Sequence, residues 1–316
     1  MFPGSGDWTV LKAFHRRGGC IFKVSSTQLK KIVAAKVYHP SLAGRESSEI
    51  MRQALEFYHA RSSSSPRLTV PAPYGVVESL NLIVMEWIHA PTLHERLRRS
   101  RFSKSKRQGQ IQMAAQWLLW FHRQAEISHR PHDSAATLHE YKRLIRSILA
   151  MQPNFLARET ELQNHLKFWK KITAEQGDFQ VAHAVVHHDF TPSNLFMSET
   201  CVTGFDLLAQ VQRPITYDIC RFLTYLSNSR IRPVPAADLR SCGCAKADFQ
   251  SFMAVYGTEM REIPARTFLY LQYSEVLRRW LSVARQHAKG RRLRRQIQIL
   301  QLKRMARHIA AGLRNA

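Results

Sequence analysis

The N-terminal third of the chain alternates short apolar stretches with polar breaks, the pattern of strands joined by turns. CIFKVSS and KKIVAAKVY, with the polar STQ between them, predict a β-hairpin. RESSEIMRQALEFYHAR then shifts to helical spacing, with Ile50, Ala54, Leu55 and Tyr58 on one side. The SSSSP of Ser62–Pro66 reads as a flexible loop. LTVPAPYGVVES and LNLIVMEWI return to extended structure: two prolines exclude a helix from the first, and apolar continuity marks the second. From Pro91 the spacing is helical through TLHERLRR, RQGQIQMAAQWLLWFHRQAE, ATLHEYKRLIRSILAMQ and the stretch around ELQNHLKFWKKITAE. Strand character returns only across residues 180–206, and helices follow Pro214 to the end.

This order predicts an α+β protein of two lobes. A small β-rich N-lobe with one helix spans residues 1–88, and a linker lies near Glu86–Pro91. A larger, mainly helical C-lobe spans 89–275, followed by a basic C-terminal helical segment at 276–316. No internal repeat is present.

The polar residues of VVHHDFTPSNLF, Val185–Phe196, stand between two apolar runs. In a hairpin reading, Asp189 and Asn194 sit on a turn, and the return strand Cys201–Phe205 delivers Asp206 beside them. All three carry oxygen ligands or proton acceptors. Hard cations such as Mg²⁺ take a few carboxylate and carbonyl oxygens, with substrate phosphates completing the shell. A carboxylate left free of metal can accept a hydroxyl proton. The bland alternative is that Asp189 and Asn194 are turn formers bonded to local backbone.

HHDFTPSN resembles the catalytic loop of the protein-kinase-like phosphotransferases, and most closely the aminoglycoside phosphotransferase and choline kinase branch, whose loop runs roughly H-G-D-x-x-P-x-N. Pro192 keeps its place, Asn194 follows Asp189 by five residues, and TGFD supplies a second aspartate twelve residues later. Upstream, VAAKVY resembles the kinase V-A-I-K strand, LIVMEWIHAPTL the interlobe hinge, and AAQWLLWFH a family helix ending in His122. RPITYDICRFL resembles the P-x-Y-D segment, whose aspartate, here Asp218, is structural. The resemblance spans about residues 8–226. It implies a protein-kinase-like fold that uses ATP and Mg²⁺. Asp189 would be the base and His187 a brace of the catalytic loop; Asn194 and Asp206 would hold metal. Lys36 would pair with the α- and β-phosphates, oriented by Glu56, with Glu49 as the alternative. Glu86 and Ile88 would present backbone groups to adenine, and Phe196 would lie beneath it.

The chain departs from the family pattern in several places. His188 replaces the glycine after the first histidine, and only RRGGC, Arg16–Cys20, could cover the phosphates. Leu-Leu follows Asp206, and Asp206 and Asp218 are twelve residues apart, too close for a long phosphorylatable activation loop. A small-molecule hydroxyl is therefore the expected acceptor: a sugar, an aminoglycoside-like or choline-like compound, or a lipid-linked sugar.

Charge adds a second theme. Lys plus Arg minus Asp plus Glu is 47 − 23 = +24 in 316 residues, a surface that attracts anions. Basic residues crowd ERLRRSRFSKSKRQ, and no acidic residue follows Glu275. Leu302, Met305, Ile309 and Leu313 share one helical face, with Leu293, Ile297 and Leu300 on a nearly opposite one. That segment reads as a docked helix with a solvated basic face, or as a peripheral contact with anionic membrane. Nucleic acid is disfavoured, because no stacking-aromatic motif accompanies the charge. Five cysteines without paired CxxC sets, no charged and apolar leader in MFPGSGDWTV and no run of about 18 apolar residues suggest a reduced, cytoplasmic chain. Two rival readings stand beside the enzyme. One is a non-catalytic nucleotide-binding scaffold of the same fold, motivated by HHD and the reduced glycine loop. The other is a basic adaptor for membrane or nucleic acid.

Overall fold

The structure, a computed structural model, describes residues 8–16, 19–27, 30–39, 47–100, 102–177, 179–207, 211–230, 233–257, 263–288 and 293–315. It divides into two compact units. Unit 1 holds residues 1–125, 187–189 and 193–211, and unit 2 holds 126–186, 190–192 and 212–316.

Unit 1 is built on an antiparallel sheet of five strands. They are β1 (Trp8–Arg16), β2 (Gly19–Ser26), β3 (Lys31–Tyr38), β5 (Pro73–Val77) and β6 (Leu82–Glu86), in the order β1-β2-β3-β6-β5. The β2–β3 hairpin expected from the alternation forms, with Val24 paired to Val33 and Lys36 opposite Ile21. β3 is central, so its apolar residues are covered on both sides: Val33, Ala35, Val24 and Val84 form one buried cluster edged by Phe22 and Leu82. Helix α1 (Ser47–Ser62) packs on β5 and β6 and buries Met51, Ala54, Leu55 and Tyr58. Met51 occupies the core place expected of Ile50, which is half-buried.

After β6 the chain enters α2 (Leu93–Arg99) through a capping box: Thr92 accepts from the Glu95 amide while the Glu95 carboxylate accepts from the Thr92 amide. Helix α3 (Lys104–His122) carries the WLLW aromatics into the core, with Trp117 fully buried. A second sheet, β4 (Leu68–Thr69), β10 (Val202–Gly204) and β9 (Leu195–Met197), completes the unit. Its hairpin is tied to the start of α2, because the Met197 amide donates to Pro91 at 2.9 Å and Phe196 bridges Thr92.

Unit 2 contains a three-stranded sheet in the order β11-β8-β7 and most of the helices. β8 (Gln180–Val185) is the apolar run that leads into VVHHD. It pairs with β7 (Ser128–Pro131) and β11 (Gln212–Pro214), not with the return strand of the hairpin. Both partners escape the sequence reading because SHRP and QRP are short and polar; each forms against an edge that β8 leaves open. The helices are α4 (Ser134–Leu149), α5 (Phe155–Arg158), α6 (Thr160–Gln176), α7 (Thr216–Asn228), α8 (Ala236–Cys242), α9 (Lys246–Tyr256), α10 (Ala265–Ala288) and α11 (Leu293–Asn315). Asp218 is buried in the first turn of α7, as a structural aspartate would be.

The small antiparallel region and larger helical region agree with the expected architecture, but two boundaries differ. α2, α3 and the β9–β10 hairpin group with the N-terminal sheet, so residue 88 is not where compactness divides. The basic segment is no separate domain either. α10 runs unbroken through residue 276, and α11 packs on α8 and α10 with Leu302, Met305, Ile309 and Leu313 buried.

Gly204 fixes how α3 meets the hairpin. A Cβ there would lie 2.0 Å from the Trp117 ring, whose indole Nε1 donates to the Thr69 carbonyl at 2.8 Å. A rigid ring held by its own hydrogen bond cannot yield. Gly204→Ala should therefore destabilise the protein by about 2 kcal/mol or more in urea unfolding. A loss below about 0.5 kcal/mol would mean that the ring moves aside.

Candidate active site

All the residues singled out in the sequence as candidates for chemistry fall in unit 1: Lys36, Glu56, Glu86, Ile88, His187, Asp189, Asn194, Phe196 and Asp206. The Lys36 side chain is only 10% exposed. An ammonium taken out of water costs several kcal/mol unless another charge meets it. Asp206 meets it, with Lys36 Nζ 2.5 Å from Asp206 Oδ1. Side chains two apart on a strand share a face. Tyr38, two residues after Lys36, accordingly lies under the same ammonium, its ring centroid 4.6 Å from Nζ. Burial and then the nearby Asp206 charge push the Tyr38 phenol well above its ordinary range, so it stays protonated. Tyr38 was not singled out in the sequence; its i+2 spacing from Lys36 is the signal that could have found it.

Asp206 sits at φ 71, a left-handed backbone reached directly after the strand β10. Asn194 closes a short 3-10 turn, Pro192–Asn194. Its Nδ2 donates to the Asp189 carbonyl at 2.8 Å and to Asp189 Oδ2 at 3.0 Å. The Asn194 carbonyl in turn accepts from the Phe205 amide at 3.1 Å, next to Asp206. One amide thus fixes the Asp189 carboxylate and links it to the strand end that carries Asp206. Among the described residues these bonds leave Asn194 Oδ1 and Asp206 Oδ2 as oxygens that could serve as metal ligands. Among the described residues no cluster of three or more His, Cys, Asp and Glu could hold a metal unaided. One carboxylate and one amide oxygen form the kind of partial donor set that Mg²⁺ uses when phosphates supply other ligands.

The loop is braced from below. His187 is buried, its ring 5.8 Å from Trp117 and 5.9 Å from Phe121, so it positions the loop and does not reach the solvent side. His188 stands at φ 67. The family pattern has glycine there because only glycine enters that region without cost. The backbone conformation is thus kept although the residue is not glycine. Phe196 stacks on Phe205 with centroids 4.9 Å apart.

The remaining candidates have local contacts of their own. Glu56 does not pair with Lys36, and neither does Glu49. Arg52 stands between them on α1, 2.5 Å from a carboxylate oxygen of each. That guanidinium holds Glu49 down at about 2. Lys36 finds its counter-charge on Asp206 because that carboxylate is already inside the site. Glu86 uses its side chain locally, accepting from the Ala72 amide at 3.2 Å, while its own amide donates to the Ala72 carbonyl at 2.8 Å. These bonds pin the linker and leave its backbone amide engaged. Ile88 is half-buried; beside it the Trp87 ring stacks on Phe14 at 6.0 Å, with Lys23 Nζ 5.1 Å away. Of RRGGC, Arg17 and Gly18 lie outside the described residues.

Unit 2 has a cavity of its own, about 300 Å³, lined from β7, β8, β11, α4, α7 and α10. Its carboxylates are largely committed. Glu275 accepts two bonds of 2.5 Å from Arg278, and Glu140 lies 3.7 Å from the same guanidinium. The Tyr217 ring is surrounded by the guanidinium groups of Arg213, Arg221 and Arg278 at 5.2, 4.7 and 5.4 Å. On the other wall His132 stacks on Phe179 at 4.8 Å. Neither His132 ring nitrogen has a hydrogen-bond partner among the described residues. Burial lowers the His132 pKa to about 4, against a smaller opposing pull from Asp133.

A sequence model described as the phosphotransferase enzyme family matches residues 22–205. No curated protein sequence matches the chain. Among solved structures it resembles an amicoumacin kinase, hAmiN, in complex with AMP-PNP, Ca²⁺ and Ami, at TM-score 0.59 and 11% identity, covering 95% of this chain and 87% of that one. It also resembles the protein of a gentamicin–APH(2")-IIa complex, at TM-score 0.57 and 16% identity over 96% and 94% of the chains. A Plasmodium vivax ethanolamine kinase gives TM-score 0.55 and 12% identity over 95% and 82%. At such identities the likeness is one of fold.

Two measurements check these environments. The left-handed backbone at His188 costs a non-glycine residue about 1 kcal/mol, so His188→Gly should leave stability unchanged or raise it by up to about that amount. A loss above about 1 kcal/mol in urea unfolding would show that the imidazole contributes contacts outweighing the strain. His132 is held neutral by the fold, so the unfolded chain binds the proton first as pH falls. Its contribution is present above about pH 6.5 and is lost as pH falls towards the folded value of about 4. The loss should amount to as much as about 3 kcal/mol. His132→Phe keeps the stack and should flatten stability between those pH values; an unchanged acid limb would contradict the assignment.

Proposed function

Since the chain belongs to the phosphotransferase enzyme family, we propose that it moves the γ-phosphoryl group of ATP, with Mg²⁺, to a hydroxyl of a small molecule. One observation carries the proposal. The Lys36–Asp206 pair and the Asn194–Asp189 bonds hold a cation, two carboxylates and an amide oxygen in one unit, joined through the hairpin. Asp189 is the group that orients the acceptor hydroxyl and takes its proton. The two bonds from Asn194 fix its carboxylate before substrate arrives, which lowers the entropy of reaching the reactive geometry. Asn194 Oδ1 and Asp206 would hold the metal, which when bound neutralises charge on the phosphates. Lys36, released from Asp206, would turn its ammonium to the phosphate oxygens, while Tyr38 keeps its stem in place.

The acceptor classes suggested by the sequence are a sugar, an aminoglycoside-like or choline-like compound, and a lipid-linked sugar. A net charge of +24 disfavours a polycation. We place a neutral polyol or sugar first. The non-catalytic alternative finds less support, because the backbone at His188 retains the conformation that a glycine would have given.

The test is ATP turnover over a panel of sugars, aminoglycosides and amino alcohols, with Asp189→Asn as control. The wild type should phosphorylate at least one neutral hydroxyl acceptor, and the variant should lose at least about 100-fold in kcat while binding ATP normally. Turnover that survives Asp189→Asn removes Asp189 as the base, and absence of transfer to any acceptor favours the scaffold reading.

A further inference from the structure

The two apolar faces of the last helix have different fates. Leu302, Met305, Ile309 and Leu313 are buried in unit 2. Leu293, Ile297 and Leu300 face away from that core, 72%, 48% and 64% exposed. Their i, i+4, i+7 spacing makes one continuous stripe along the first two turns of α11. The helix runs unbroken from Leu293 to Asn315, so the change of face marks a change of environment along one rod. An apolar groove of about 180 Å³ extends the stripe, floored by Pro233, Val234 and Met305 beside Ile297 and Leu300.

Charge separates the two halves of the helix as well. In the C-terminal half two of the four cations meet carboxylates: Lys303 lies 2.7 Å from Glu159, and Arg307 pairs with Glu161. In the N-terminal half the sequence supplies only cations. Arg294 and Arg295 follow Leu293, Arg295 donating to the Gln286 carbonyl at 2.6 Å, and Lys289, Arg291 and Arg292 precede it in the sequence, outside the described residues. From residue 276 to the end there are twelve Lys and Arg and no Asp or Glu.

We infer that the N-terminal half of α11 lies on an anionic bilayer surface, with Leu293, Ile297 and Leu300 in the acyl boundary and Arg294 beside them against lipid headgroups. An amphipathic helix with aliphatic residues on one side and arginines beside them gains both from burial and from the negative surface potential. The contact is peripheral, since no described helix is long and apolar enough to cross a membrane. A bilayer suits the stripe better than the other candidates. A stable protein partner commonly covers about 800 Å² per side, more than three side chains offer. Nucleic acid would leave the most exposed groups, which are aliphatic, without stacking or hydrogen bonds. The inference is independent of the phosphotransferase reading.

The test is flotation of the full-length protein with vesicles of phosphatidylcholine alone, or mixed with phosphatidylglycerol, at low and at physiological salt. The wild type should float only with the anionic vesicles. The triple variant Leu293→Ser, Ile297→Ser and Leu300→Ser removes side chains that are about half or more exposed and leaves the buried face of α11 intact, so it should still unfold cooperatively close to the wild-type melting temperature. It should bind the anionic vesicles at least about tenfold more weakly. Asp189→Asn should float like the wild type. Equal binding by the triple variant would assign the attraction to general surface charge and overturn the inference, as would no binding by the wild type. A wild-type dimer that the triple variant converts to monomer would show that a second copy covers the stripe, and would overturn it too.

Discussion

The ion pair between Lys36 and Asp206 is the interaction on which the rest of unit 1 depends. A buried ammonium on a central strand would be costly alone, and the carboxylate that answers it comes from a residue 170 positions away. Meeting that distance constrains much else. Asp206, two residues past the end of β10, must take a left-handed conformation; the β9–β10 hairpin must be tied to α2 through Pro91 and Thr92; and Gly204 must leave space for Trp117. The same pair explains why Glu49 and Glu56 are free to serve Arg52 instead. In the proposed phosphotransferase such a pair would be a resting arrangement. Its two members are those that would divide between phosphate and metal, so the charges stay compensated before and after nucleotide arrives.

Much of this was legible in the sequence, and the reasons differ by residue. β3 and the β2–β3 hairpin followed from alternation, because one buried lysine interrupts an otherwise apolar strand. Asp189, Asn194 and Asp206 followed from fixed spacing, which a tight turn and a short hairpin preserve whatever surrounds them. The counter-charge of Lys36 did not follow. Helical spacing put Glu49 and Glu56 on a suitable face, but it could not show that Arg52, between them, would occupy both. Tyr38 was hidden because a strand tyrosine reads as ordinary core. β7 and β11 were hidden because edge strands are made by the neighbour they pair with, and their own residues carry no alternation. The exposed stripe of α11 was visible as a second apolar face, yet only burial shows which face the core uses.

His188 illustrates how a departure from a pattern can preserve its physical purpose. The loop needs a positive φ immediately before Asp189, and the chain pays for it with strain where glycine would supply it without cost. His187, packed on Trp117 and Phe121, anchors the residue before, and Asn194 restrains the residue after. A loop held on both sides tolerates an unfavourable residue in its middle.

In the proposed reaction Lys36 and Asp206 would exchange one another for a metal–nucleotide complex. Calorimetric titration of ATP into the wild type, with magnesium present and with magnesium replaced by a chelator, tests it most directly. Magnesium should strengthen binding at least about tenfold, since without it Asp206 keeps Lys36 and the phosphates lack their counter-charge. Equal affinity with and without the metal would contradict it.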